Sequence, residues 1–260
     1  MSCRPPCFDR GMGDALQATT VRMTGANGDE IEAYLAHPEG DAPRGGVVVI
    51  HHLPGYDRAT KEIVRRFAEL GYDALCPNLF FREAPGAAPD DAAAAARARG
   101  GTPDEQLVGD VAGATKYLRS LPTSNAKVGV IGYCSGGRQA VLAACNVDLD
   151  AAVDCYGAYV TGTPPADFPI KVSNLVEQLP NLRCPLLGLF GNEDARPSPE
   201  HVDELEQLLA AHGKSFEAHR YDDTGHGFFS VDRPSYRVAA ANDGWEQITR
   251  FFGTHLATEA

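Results

Sequence analysis

One cysteine in this chain is ringed by glycine. The stretch Gly129-Val-Ile-Gly-Tyr-Cys-Ser-Gly-Gly-Arg138 follows an apolar run and precedes a helix-like segment. A strand that hands over to a helix within one or two residues, while presenting a side chain beyond the sheet, forces its central residue into strained backbone and needs small neighbours. The pattern Gly-x-nucleophile-x-Gly meets that need, and here it runs Gly132-Tyr133-Cys134-Ser135-Gly136. A helix starting at this point would favour a thiolate through its orphan N–H groups and its dipole. Ser135 is the rival nucleophile, but centring the motif on it puts Tyr133 where close approach requires glycine, so Cys134 is favoured. The plain structural alternative is a glycine-rich turn around a merely buried cysteine.

A nucleophile of this kind needs an imidazole to take its proton and a carboxylate to set the imidazole's tautomer, in the chain order nucleophile, acid, base. The apolar run 186–190 ends in Gly191-Asn-Glu-Asp194, where a parallel strand would deliver catalytic groups at its C-terminal end. Asp194 is the favoured acid; Glu193, nearer the strand, is the alternative. Further on, Thr224-Gly-His226-Gly-Phe-Phe sets a histidine between glycines, after a strand and before the last helix. Histidines 37, 201, 212, 219 and 255 lie on strands or helix ends without such a setting.

Positioning these residues requires an alternation of short apolar runs with longer amphipathic ones, and the chain has it. Strands are expected at 20–23 and 31–36 as an antiparallel pair, then at 47–51, 73–77, 127–132, 151–156, 186–191 and 216–221. Helices are expected at 60–70, 104–121, 135–145, 199–212 and 235–256. Val47-Val-Val-Ile50 is apolar on both faces, as a buried parallel strand must be. The expected fold class is therefore α/β, a mostly parallel central sheet flanked by helices on both faces. The stretch 82–102 reads as a solvated loop and an alanine-rich helix, long enough to lie over a site.

At 260 residues, 43% hydrophobic and 22% charged, the chain is read as one domain over 18–258 behind a tail of residues 1–17. A formal charge of -12 argues against nucleic acid or an anionic membrane as partner. The N-terminus lacks a basic start followed by an apolar segment, and no run approaches a membrane span, so a cytoplasmic protein is expected. Seven scattered cysteines do not form a disulfide framework, and Cys3 and Cys7 have no second close pair to complete a structural zinc site. His51 and His52 are adjacent, so on a strand they point to opposite faces and do not easily share an ion. Neither a cofactor nor a metal is expected.

The motifs GYCSGG, GNEDARPSP and TGHGFF, in this order and spacing, resemble the dienelactone hydrolase family, proteins of α/β-hydrolase fold with a Cys-Asp-His triad. The resemblance runs from about residue 20 to the end. It implies a hydrolase that opens a lactone or small activated ester through an acyl-cysteine, with Cys134 attacking, His226 handling the proton and Asp194 orienting the ring. It also implies an oxyanion hole made by the backbone N–H of Ser135 and of Leu53, the latter within His51-His-Leu-Pro-Gly55. Arg82 matches one arginine with which the family binds a substrate carboxylate; at the second position stands Ser230, with Arg233 nearby. His52 occupies the place of a glutamate that contacts the thiol, so His52 is expected beside Cys134 and the substrate. A thioesterase or acyltransferase would use the same acyl-cysteine, and a redox-sensing protein would keep the thiol without the chemistry. The expected partner is a small molecule, and the expected assembly a monomer or small homo-oligomer.

Overall fold

The computed structural model describes residues 15–53 and 55–257. Strands β1 (Leu16–Thr24) and β2 (Glu30–Pro38) form an antiparallel hairpin across a 3-10 turn at Ala26–Gly28. There follow β3 (Arg44–Ile50), α1 (Arg58–Glu69), β4 (Asp73–Pro77), α2 (Pro89–Ala98) and α3 (Asp104–Arg119). The second half comprises β5 (Ser124–Tyr133), α4 (Ser135–Asn146), β6 (Ala151–Cys155), β7 (Leu186–Gly191), α5 (Pro199–Ala211), β8 (Phe216–Tyr221) and α6 (Val238–His255). The eight strands make one sheet in the order β1-β2-β4-β3-β5-β6-β7-β8. It is parallel from β4 to β8 and antiparallel where β2 joins β4.

Alternation along the central strands divides the core in two. In β3, Val48 and Ile50 join a cluster with Leu107, Val111 and Leu142 under α3 and α4. Val47 and Val49 face the opposite way and pack with Phe67, Trp245 and Phe252 from α1 and α6. Because both faces are covered, every residue of β3 is buried, which is what its unbroken apolar run requires. The half-covered β2 alternates instead.

Parallel strands point their C-terminal ends to one edge, so the segments after β3, β5, β7 and β8 converge there. Asp57 begins α1 by accepting the Thr60 N–H at 2.8 Å, two residues earlier than the apolar stripe indicates. The domain likewise begins earlier than expected: Leu16 and Gln17, assigned to the tail, pair with Pro38 and His37 in β1. Cys3 and Cys7 lie outside the described residues. Residues 157–185, between β6 and β7, form an irregular strap with a 3-10 turn at Val176–Asn181. Among the described residues no helix is long and apolar enough to cross a membrane.

Candidate active site

Cys134 sits between the end of β5 and the first residue of α4, with φ 56° and ψ -122°. A non-glycine residue held in such a region costs on the order of 1–3 kcal/mol, and its surroundings must enforce it. They do so from both sides. The Cys134 N–H donates to the Cys155 carbonyl at 3.0 Å, and its own carbonyl accepts from Gly137 N–H at 2.9 Å. A Cβ on Gly132 would collide with the Gly136 carbonyl, and one on Gly136 would come within 2.6 Å of the Ile50 carbonyl. The turn therefore closes only with glycine at both flanks. Cys134 occupies its apex, and Ser135 is already helical.

Asp194 lies in the turn after β7 and is 5% exposed, whereas Glu193 beside it is exposed. The Asp194 Oδ1 accepts the Arg196 N–H at 2.8 Å, leaving Oδ2 to accept from His226 Nδ1 at 2.7 Å. His226 comes from the loop after β8, and Tyr156 packs edge-on to its ring at 5.0 Å. Burial works against charge on His226, but the hydrogen bonds to Asp194 and then to Cys134 outweigh it and raise its pKa to about 10. The aspartate and histidine thus form a bonded pair, and the cysteine acts on the same imidazole from the elbow.

These groups open onto a cavity of about 490 Å³, also bordered by Leu53 and Ser135. Leu79, Phe80, Phe168, Ile170 and Val172 give it apolar walls. Arg97, Lys171 and Arg196 are exposed cations on its border. Tyr159 and Thr102 also line it, and among the described residues neither hydroxyl has a hydrogen-bond partner.

Three residues singled out in the sequence are elsewhere. His52 Nε2 is bonded to Asp57 Oδ2 at 3.0 Å and does not border the cavity. Burial pushes the Asp57 carboxyl up, but the bonds from His52 and the Thr60 N–H prevail and hold it at about 2. His52 therefore braces the start of α1. Arg82 is held by both oxygens of Asp110 at 2.9 Å and by Asp29 at 2.8 Å, away from the cavity. Its guanidinium already has carboxylate partners within the fold. Arg233 is exposed in a turn closed by its N–H to the Ser230 carbonyl at 3.0 Å, and it too is off the cavity.

Arg138 is the residue that sequence reasoning passed over. It lies one helical turn beyond Cys134, a spacing that puts both on one side of α4 and could have drawn attention to it. Only 4% exposed, it donates to both oxygens of Asp104 at 2.9 Å and to the Ser173 carbonyl at 2.8 and 3.1 Å. It ties the start of α3 and the strap to the helix that carries the thiol. Lys171 N–H adds a bond to the Gly100 carbonyl at 2.8 Å, joining the strap to the segment after α2. Among the described residues no group of three or more His, Cys, Asp or Glu is arranged to hold a metal ion.

A doubly covered, mostly parallel sheet with a glycine-flanked elbow after its central strand defines the α/β-hydrolase class. The acylaminoacyl peptidase of Pyrococcus horikoshii shares that fold at a TM-score of 0.69 and 18% identity, over 94% of this chain and 43% of that one. The narrower relation comes from sequence: the model of the Dienelactone hydrolase family matches residues 31–256, and the chain belongs to that family. It is 34% identical over 233 residues to a provisionally named carboxymethylenebutenolidase of Escherichia coli (strain K12), covering 87% of this chain and 83% of the relative. It is 30% identical over 227 residues to the carboxymethylenebutenolidase of Pseudomonas putida, covering 82% and 90% respectively. A provisionally named dienelactone hydrolase from Klebsiella pneumoniae superposes with a TM-score of 0.79 at 27% identity, over 93% of this chain and 100% of that one. The protein is a hydrolase of the dienelactone hydrolase type.

Proposed function

We propose that the protein opens a lactone or small activated ester through an acyl-cysteine on Cys134. The observation that carries this reading is the Asp194–His226 pair, bonded at 2.7 Å and lining, together with Cys134, one cavity of small-molecule size. In the proposed reaction the Cys134 sulfur attacks the carbonyl carbon while its proton resides on His226. The carbonyl oxygen gains negative charge and is met by the N–H groups of Leu53 and Ser135, both of which border the cavity. When the tetrahedral intermediate collapses, the carbon–oxygen bond of the ester breaks, and the leaving oxygen takes the proton from His226. In a lactone that oxygen stays tethered to the acyl group. Water then attacks the thioester, giving its proton to His226, and the returning thiolate leaves a carboxylic acid. Asp194 holds the imidazole so that its second nitrogen faces the sulfur.

The cations Arg97, Lys171 and Arg196 favour a substrate that carries negative charge at the cavity mouth, although Arg82 and Arg233 do not serve it. The test is a panel of carboxylated and uncharged lactones and aryl esters, quenched and analysed by mass spectrometry. The expected result is an acyl adduct on the peptide containing Cys134 that disappears in Cys134→Ala. An adduct on Ser135, or turnover that survives loss of Cys134, would sink the reading.

A further inference from the structure

Next to the loop that carries Leu53 stands a histidine that the proposed chemistry does not use. His51 follows β3, is 2% exposed and borders the cavity. The Leu79 N–H donates to its Nε2 at 3.2 Å, so that nitrogen must be the bare one. The proton of the neutral ring is then on Nδ1, which donates to the His52 carbonyl at 3.0 Å. Burial, the largest influence, lowers the His51 pKa to about 4, so the tautomer persists through neutral pH. Phe80 packs edge-on against the ring at 4.7 Å.

The carbonyl that His51 holds belongs to the same peptide unit as the Leu53 N–H. A trans peptide is planar, with its C=O and N–H pointing in opposite directions, so fixing one end aims the other. Among the described residues the only cis bond is Arg196-Pro197, far from this unit in sequence. The loop is also tied on its other side, where His52 is bonded to Asp57 at the cap of α1. We propose that His51 is a positioning residue for the oxyanion hole: by gripping the His52 carbonyl it directs the Leu53 N–H at the oxygen of the tetrahedral intermediate. This rests on the reading above, in which Cys134 is acylated with Leu53 as an oxyanion donor.

Losing a whole oxyanion donor costs roughly 10²–10³ in kcat, so a donor left in place but free to turn should cost about 10–100-fold. The experiment compares wild type, His51→Phe and His51→Gln in pre-steady-state acylation by p-nitrophenyl acetate. Phenylalanine keeps a ring but has no hydrogen bonds, whereas a glutamine amide can donate to the His52 carbonyl and accept from Leu79. Acylation should fall about 10–100-fold in His51→Phe with KM within about twofold, and recover to within a few-fold of wild type in His51→Gln. Alkylation of Cys134 by iodoacetamide should be unchanged in all three, because displacement of iodide from a saturated carbon creates no oxyanion.

Wild-type acylation in His51→Phe would overturn the proposal, and so would an equal loss of alkylation, since that marks general damage to the site. A wild-type protein that alkylates but is acylated by no ester would overturn the hydrolase reading and this inference with it. Independently of activity, ¹⁵N NMR of the wild-type imidazole should show the Nδ1–H tautomer between pH 6 and 8. An Nε2–H tautomer would overturn the proposal even if neither variant folds.

Discussion

Replacing Asp194 by asparagine exchanges one carboxylate oxygen for an NH₂ group, and the structure dictates how the amide must lie. The Arg196 N–H requires an acceptor at the position of Oδ1, so the amide oxygen of the new side chain is held there and its NH₂ is turned toward His226. Nδ1 of the ring must then accept a hydrogen bond, which leaves the proton on Nε2, the nitrogen that should receive one from Cys134. Acylation should fall by on the order of 10²–10⁴-fold, the lower end applying because a thiol ionises with less help than a hydroxyl.

The same substitution removes the largest contribution raising the His226 pKa, now about 10, against the burial that depresses it. A vanished opposite charge at hydrogen-bond distance lowers a pKa by about 1–3 units, and the partly exposed edge of the ring favours the smaller end. A folded pKa above the usual 6.5 means that His226 contributes stability fully below that pH and loses it as pH rises through about 10. The alkaline fall in stability should therefore begin at lower pH in Asp194→Asn. The assay is a set of single-turnover acylation rates from pH 5 to 10, with NMR titration of His226 and urea unfolding over the same range. Acylation within tenfold of wild type, or an unmoved His226 titration, would refute the reasoning.

Losses caused by Cys134→Ala and His226→Ala should not add on a logarithmic scale, because a relay disabled at one member has little left to lose at another; full additivity in turnover would show that they do not cooperate. Arg82→Ala should cost about 3–5 kcal/mol in urea unfolding, since the Asp110 side chain, 0% exposed, loses its guanidinium. It should affect charged and uncharged substrates alike, and selective loss of the charged one would return Arg82 to the site. Asp154 is fully buried below the elbow, and burial, opposed by the Gly157 N–H and by His226, raises its pKa to about 7. The folded state then keeps a proton that the unfolded state releases near pH 4, so stability falls between about pH 4 and 7, by at most about 4 kcal/mol. In Asp154→Asn that contribution should be absent, as urea unfolding at pH 4.5 and 6.5 can measure.

What the sequence settled by itself is whatever depends on neighbours along the chain. The apolar run 47–50 can only be a strand covered on both faces, and Gly132 and Gly136 leave room for one sharp turn with Cys134 at its apex. Asp194 and His226 were legible because each follows a strand whose end points to the shared edge of the sheet. Tertiary structure decided which long polar side chains reach the cavity. Arg82 satisfies Asp29 and Asp110, partners 53 and 28 residues away, and His52 turns to the cap of α1. Arg138, despite its place in the glycine-rich motif, acquires its role only when α3 and the strap arrive beside it. An arginine or histidine side chain spans several ångströms and bonds equally well to any carboxylate or carbonyl within reach. Its partner is therefore chosen by which backbones the packed sheet brings together, and local spacing cannot encode that choice.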